Sequence, residues 1–120
     1  MSDSPLLAPE AIANLRSINP DDDGSFLGQL VDLFLADTPQ RIAEMETALA
    51  QHRGADLGHL AHAVKGSAAN FGATRLVALC FELEQLGKSN QLDSAREKLA
   101  ALGAEFVRTR PALEELKSRL

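Results

Sequence analysis

The sequence predicts an all-α protein, an antiparallel up-down four-helix bundle with an accessory N-terminal helix, on three observations. Strand signals are nearly absent: the 120 residues hold no Tyr or Trp and few β-branched runs, and no alternating pattern flanks Asp23-Gly24. Apolar residues instead recur at three- and four-residue spacing along every long segment. The connections between those segments are short, which favours antiparallel neighbours.

A first short helix begins near Pro9, a residue suited to the first helical turn, carries Ile12 and Leu15, and ends at Asn19-Pro20-Asp21. It is expected to cover one end of the core. From about Asp23 to Asp37, Leu27, Leu30, Val31 and Phe34 share one side. Thr38-Pro39 then offers a cap and a first-turn proline to a segment bearing Ile42, Met45 and Leu49. Proline removes a backbone donor without always stopping a helix, so two helices and one kinked helix both fit. Arg53-Gly54-Ala55 reads as a connection, Asp56 as the N-cap of the next helix and Gly72 as its C-terminal cap. Thr74 is placed to cap a helix with Leu76, Leu79, Cys80, Leu83 and Leu86 on one face, closed by Gly87 and Ser89-Asn90. Ser94 and Glu97 have capping-box spacing, opening a last segment with Leu99, Leu102, Phe106, Leu113, Leu116 and Leu120 and a kink at Pro111. Met45 and Phe81 read as core.

The chain is of single-domain size. A formal net charge of −5 and a pI near 5.1, with no basic run, disfavour nucleic acid or an anionic membrane surface as partner. Neither a signal peptide nor a membrane span is visible, and the lone Cys80 excludes an internal disulfide, so a reducing, cytoplasmic setting is expected.

Chemistry concentrates in the helix after Asp56. At about 100° per residue, Leu57, Leu60, Ala61, Val64, Ala68 and Phe71 form one apolar stripe. His62 points away from that stripe, and Gly66 and Ala69 leave little bulk one or two turns further on. Lys65 follows His62 by three residues, near enough for its ammonium to meet an anion held on the ring. A helix-interior glycine costs about 1 kcal/mol relative to alanine, so Gly66 implies a use for the missing side chain, and clearance beside the histidine is that use. A neutral imidazole is a competent nucleophile toward phosphorus, and a neighbouring cation would stabilise the product. Lys65 is expected to act as a surface cation that adds little stability. A single exposed histidine is ordinarily solvated surface; His59, which lacks the following cation and glycine, is read that way. A metal site on His59 and His62 would need further ligands; His52 lies beyond the connection and Glu82 and Glu84 are on another segment, so the sequence does not establish their convergence, and no motif supports the site. No nucleotide-binding loop is present, which argues against an autonomous kinase.

The stretch from Leu60 to Ala73, with His62-Ala63-Val64-Lys65-Gly66-Ser67 at its centre and Gly72 after it, resembles the histidine-containing phosphotransfer (HPt) domains of multistep two-component phosphorelays. Weaker likeness in Phe34 to Pro39 and Leu76 to Leu86 extends the resemblance over about residues 24 to 107, leaving 1–22 as an accessory segment of one domain. It implies that His62 is the phosphoacceptor, that Lys65 assists with the phosphoryl charge and that Gly66 gives room for docking. Ala63, Ala69 and Asn70 are placed on the contact surface by their helix angles. Response-regulator receiver domains are the implied partners, with a hybrid sensor histidine kinase as a further candidate. No cofactor or metal is expected in this chain, magnesium belonging to the receiver, and the protein is expected to be a monomer without kinase activity. Two alternatives stand beside this reading: a receiver- or kinase-binding regulatory module that is never phosphorylated, and a phosphoacceptor domain of the chemotaxis-kinase type.

Overall fold

The computed structural model describes residues 7–18 and 25–119, apart from the side chains of Arg16 and Ile18. The turn read at Asn19-Pro20-Asp21, the helix start at Asp23 and the last apolar position, Leu120, lie outside the described residues. Five helices follow one another: α1 Pro9–Ile18, α2 Ser25–Ala50, α3 Gly54–Asn70, α4 Thr74–Lys88 and α5 Leu92–Ser118. No strand occurs among the described residues. α2 packs on α3 and α5, and α4 packs on the same two, so the four long helices enclose one core.

The stripes read from the sequence meet in that core. Leu27, Val31, Phe34, Met45, Leu57, Ala61, Val64, Ala68, Leu76, Cys80, Leu83, Leu99, Leu102 and Leu113 are buried, and Phe34 stacks against Phe71 and Phe106 at centroid distances of 5.4 and 5.9 Å. Phe81 departs from the expectation: it is 52% exposed, on the outer side of α4.

The helix starts do not fall at the polar residues that suggest caps. Thr38 is buried inside α2, Asp56 lies in the first turn of α3 and pairs with Arg53, Thr74 is the first residue of α4, and Ser94 stands inside α5. The N-cap positions are Arg53, Ala73 and Gln91, with no side-chain cap bond at any of them. The connections explain this. The ends of α2, α3 and α4 are each followed by one residue with φ near +60°, namely His52, Gly72 and Asn90. The next amide then bonds back into the finished helix, from Arg53 to Ala48, Ala73 to Ala68 and Gln91 to Leu86. The carbonyl of that same residue accepts the first bond of the following helix, from Leu57, Val77 and Ala95. One backbone unit therefore closes one helix and opens the next, without a polar side-chain cap. Gly72 is at the end predicted for it, whereas Gly87 is inside α4 and Gly54 inside α3.

Pro39 and Pro111 both lie within continuous helices. Pro39 cannot donate to the Leu35 carbonyl, and Nη2 of Arg110, on α5, approaches that oxygen at 3.5 Å. A neighbouring helix thus serves the acceptor that the proline leaves open. α1 covers the α3–α4 connection: the Ala8 amide bonds the carbonyl oxygens of Phe71 and Gly72, and Leu15 is buried. Gly72 permits this approach, since a Cβ there would stand 2.8 Å from the Ala8 nitrogen.

Candidate functional site

α3 buries Leu57, Ala61, Val64 and Ala68 and turns its opposite side outward. On that outer side the His62 side chain is 67% exposed. Gly66 is exposed one turn further on, and a Cβ built on it would meet nothing within 4 Å. Ala69 and Asn70 are exposed and Ala63 is half-buried, so all three border the histidine face. His59 is exposed, as expected of a surface residue.

The site also contains a residue whose convergence with His62 the sequence leaves open. Glu84 of α4, with only 7% of its side chain exposed, reaches across to α3. Its Oε2 accepts from His62 Nδ1 at 3.1 Å, and its Oε1 accepts from Lys65 Nζ at 2.6 Å. Lys88, one turn along α4, brings its Nζ to 3.2 Å from the same Oε2. Lys65 is therefore not the free surface cation expected: its side chain is 25% exposed, and its ammonium sits 5.4 Å from the Phe81 ring centroid. Phe81 stays at the surface as the face against which that ammonium rests.

These contacts set protonation. The hydrogen bond from Lys65 lowers the Glu84 carboxyl from 4.5 to about 2, in opposition to burial, and Lys88 adds to the lowering. An ionised carboxylate only accepts hydrogen bonds, so Nδ1 of His62 must carry the proton, and in the neutral ring the lone pair resides on Nε2. The outward-facing ring thus turns its proton toward Glu84 and leaves Nε2 unbonded to that carboxylate. Cys80, beneath the network, is buried, and burial pushes its thiol up to about 12, so it stays protonated.

A carboxyl whose pKa is depressed by folding contributes stability that is full above its unfolded value and is lost as pH falls through the folded one. The stability difference between the wild type and Glu84→Gln is accordingly expected to be full above pH 4.5 and to shrink toward pH 2. Denaturant midpoints across that range test this, and a difference independent of pH contradicts it.

Among the described residues no three His, Cys, Asp or Glu side chains gather into a metal-binding group, and no helix is long and apolar enough to cross a membrane. The family model of the Hpt domain matches residues 29–119. The fold is similar to the crystal structure of histidine-containing phosphotransfer protein B (HptB) from Pseudomonas aeruginosa PAO1, with a TM-score of 0.88 and 27% sequence identity, covering 98% of this chain and 99% of that one. No curated protein sequence matches the chain.

Proposed function

The chain belongs to the Hpt domain family and is a histidine phosphotransfer protein of a two-component phosphorelay; from that premise we propose that His62 receives and passes on the phosphoryl group through its Nε2. The observation that carries this is an exposed imidazole whose Nδ1 is tied to a buried, ionised carboxylate. In the forward step the Nε2 lone pair attacks the phosphorus of a receiver's aspartyl phosphate, the P–O bond to the aspartate breaks, and the carboxylate departs. The second receiver reverses these events. Glu84 holds the ring and stabilises the positive charge that develops on it, and Lys65 keeps Glu84 ionised while adding its own field at the phosphoryl.

The surface around His62 suits a docked protein. Gly66, Ala63, Ala69 and Asn70 offer low relief, and two exposed apolar side chains, Leu33 on α2 and Phe81 on α4, belong to the two long helices packed against α3. A specific interface buries roughly 800 Å² per partner, and packed helices lie roughly 8–10 Å apart, so a receiver centred on His62 would cover residues on both neighbours. The enclosed core and three-residue connections support an antiparallel four-helix bundle with α1 as an accessory, forming one domain. The resemblance that names His62 also supports a monomeric, cytoplasmic carrier without kinase activity, with receiver domains as partners and magnesium confined to them.

Incubating the chain with a receiver bearing aspartyl phosphate should produce an acid-labile, base-stable label on the chain. An acid-stable label, or none from any receiver of the host, contradicts the proposal.

Gly66 permits a test that separates docking from folding. Because a Cβ there has open space, Gly66→Ala should raise stability by about 1 kcal/mol through helix propensity alone. The same change at Gly103, also open, should give a similar gain on α5, which packs chiefly against α2 and α4. Only Gly66→Ala should slow transfer from a receiver. Denaturant midpoints and transfer rates measured together check both signs, and equal transfer in the two variants contradicts the role of clearance.

A further inference from the structure

Glu84 distributes its two oxygens unequally. Oε1 is bonded to Lys65, whereas Oε2 is shared by His62 Nδ1 at 3.1 Å and Lys88 Nζ at 3.2 Å. The two lysines differ in freedom as well. Lys65 is held at 2.6 Å, only a quarter exposed and resting on Phe81. Lys88 is 59% exposed. Its stem lies along α3 one turn before His62: a Cβ added at Gly58 would stand 3.7 Å from Lys88 Cγ. Its ammonium and the His62 ring are bonded to one oxygen atom, so the cation begins no further from the ring than those two bonds reach.

We propose that Lys88 is the mobile cation of this site, paired with Glu84 when His62 is unmodified and turned to the phosphoryl group when His62 is loaded. This rests on His62 being the acceptor. Phosphorylation adds about two negative charges outside Nε2. Nδ1 then keeps its proton and its bond to Oε2, as the only ring nitrogen still able to donate. Lys88 is the cation that can leave: its bond to Oε2 is the longer one, its ammonium is solvated, and Lys65 remains to neutralise Glu84. No covalent bond changes in this exchange. One charge-assisted contact on a carboxylate is replaced by one on a dianion, which favours the loaded state.

The test uses wild-type chain loaded from a phosphorylated receiver, with Lys88→Gln, Lys88→Arg and Lys65→Gln alongside. In Lys88→Gln the phosphoryl equilibrium should shift toward the receiver roughly three- to tenfold, the size of a partly exposed charge contact, with the phosphohistidine half-life shortened. Lys88→Arg should restore both, and the Lys88→Gln defect should diminish at high salt. The thermal midpoint of the unloaded variant should move little, since an exposed lysine on a carboxylate already paired adds little stability. An equilibrium and half-life unchanged in Lys88→Gln, or a shift found only in Lys65→Gln, overturns the proposal. If Lys88→Gln lowers the rate of loading and unloading equally without moving the equilibrium, the lysine acts on docking, which also overturns it. Failure of the acceptor reading looks different: the wild type itself then carries no phosphohistidine.

Discussion

His62→Gln is expected to abolish phosphoryl acceptance while leaving the protein folded. The wild-type ring is largely exposed and contributes no core packing, so its removal opens no cavity. A glutamine amide can still donate to Glu84 Oε2, so the buried carboxylate keeps a partner on that side. The amide nitrogen has no available lone pair, however, and cannot attack phosphorus. Labelling from a phosphorylated receiver should fall to background in this variant, with an unchanged helical circular dichroism spectrum. His59→Gln, altering the other exposed histidine of α3, should transfer normally. A label that survives in His62→Gln would place the acceptor elsewhere.

The second large effect concerns the crossing of α3 and α4. At Gly87 a Cβ would stand 2.6 Å from the Gly54 carbonyl oxygen, 2.9 Å from the Gly58 nitrogen and 3.2 Å from its Cα. All three are backbone atoms of α3, so no side chain can swing aside and the helices themselves must separate. Gly87→Ala should therefore destabilise the fold by about 2–3 kcal/mol, even though alanine favours a helix by about 1 kcal/mol. The sign is opposite to that at Gly66, with the same substitution in the same kind of structure. The separation also reaches the site, because Glu84 and Lys88 flank Gly87 on α4 and meet His62 and Lys65 across that crossing. Transfer should thus decline in molecules that remain folded. Denaturant midpoints test the first effect, and a Gly87→Ala protein as stable as the wild type would contradict it.

The helices and the histidine were legible in the sequence because both depend on local spacing. Leu57, Ala61, Val64 and Ala68 announce the buried side of α3, and that side fixes where His62 points. Helix boundaries were less legible. Asp56, Thr74 and Ser94 are good capping residues by type, but the backbone turns at His52, Gly72 and Asn90 perform the capping two to four residues earlier. The continuity of α2 through Pro39 was open because its compensation comes from Arg110, 75 residues from the Leu35 carbonyl it serves. The convergence of Glu84 on His62 was open for the same reason: it lies 22 residues from His62 and meets it only through the packing of α4 on α3. One signal was available. Glu84 follows Cys80 by four residues and Leu83 by one, which places an acidic residue at the border of the buried stripe of α4. A carboxylate there needs a cationic partner, and Lys65 occupies the matching border of α3. Phe81 was misread because an aromatic residue at helical spacing ordinarily packs inward, whereas here it supports an ammonium at the surface.

The central claim is that Glu84 holds Nδ1 of His62 and leaves Nε2 to take the phosphoryl group. Nitrogen and phosphorus NMR of the loaded chain measures this directly, through the coupling between phosphorus and one ring nitrogen. The spectrum should show phosphorus bonded to Nε2 of His62, with a protonated Nδ1 in a hydrogen bond that disappears in Glu84→Ala. Phosphorus on Nδ1, or on any other residue, would contradict the account.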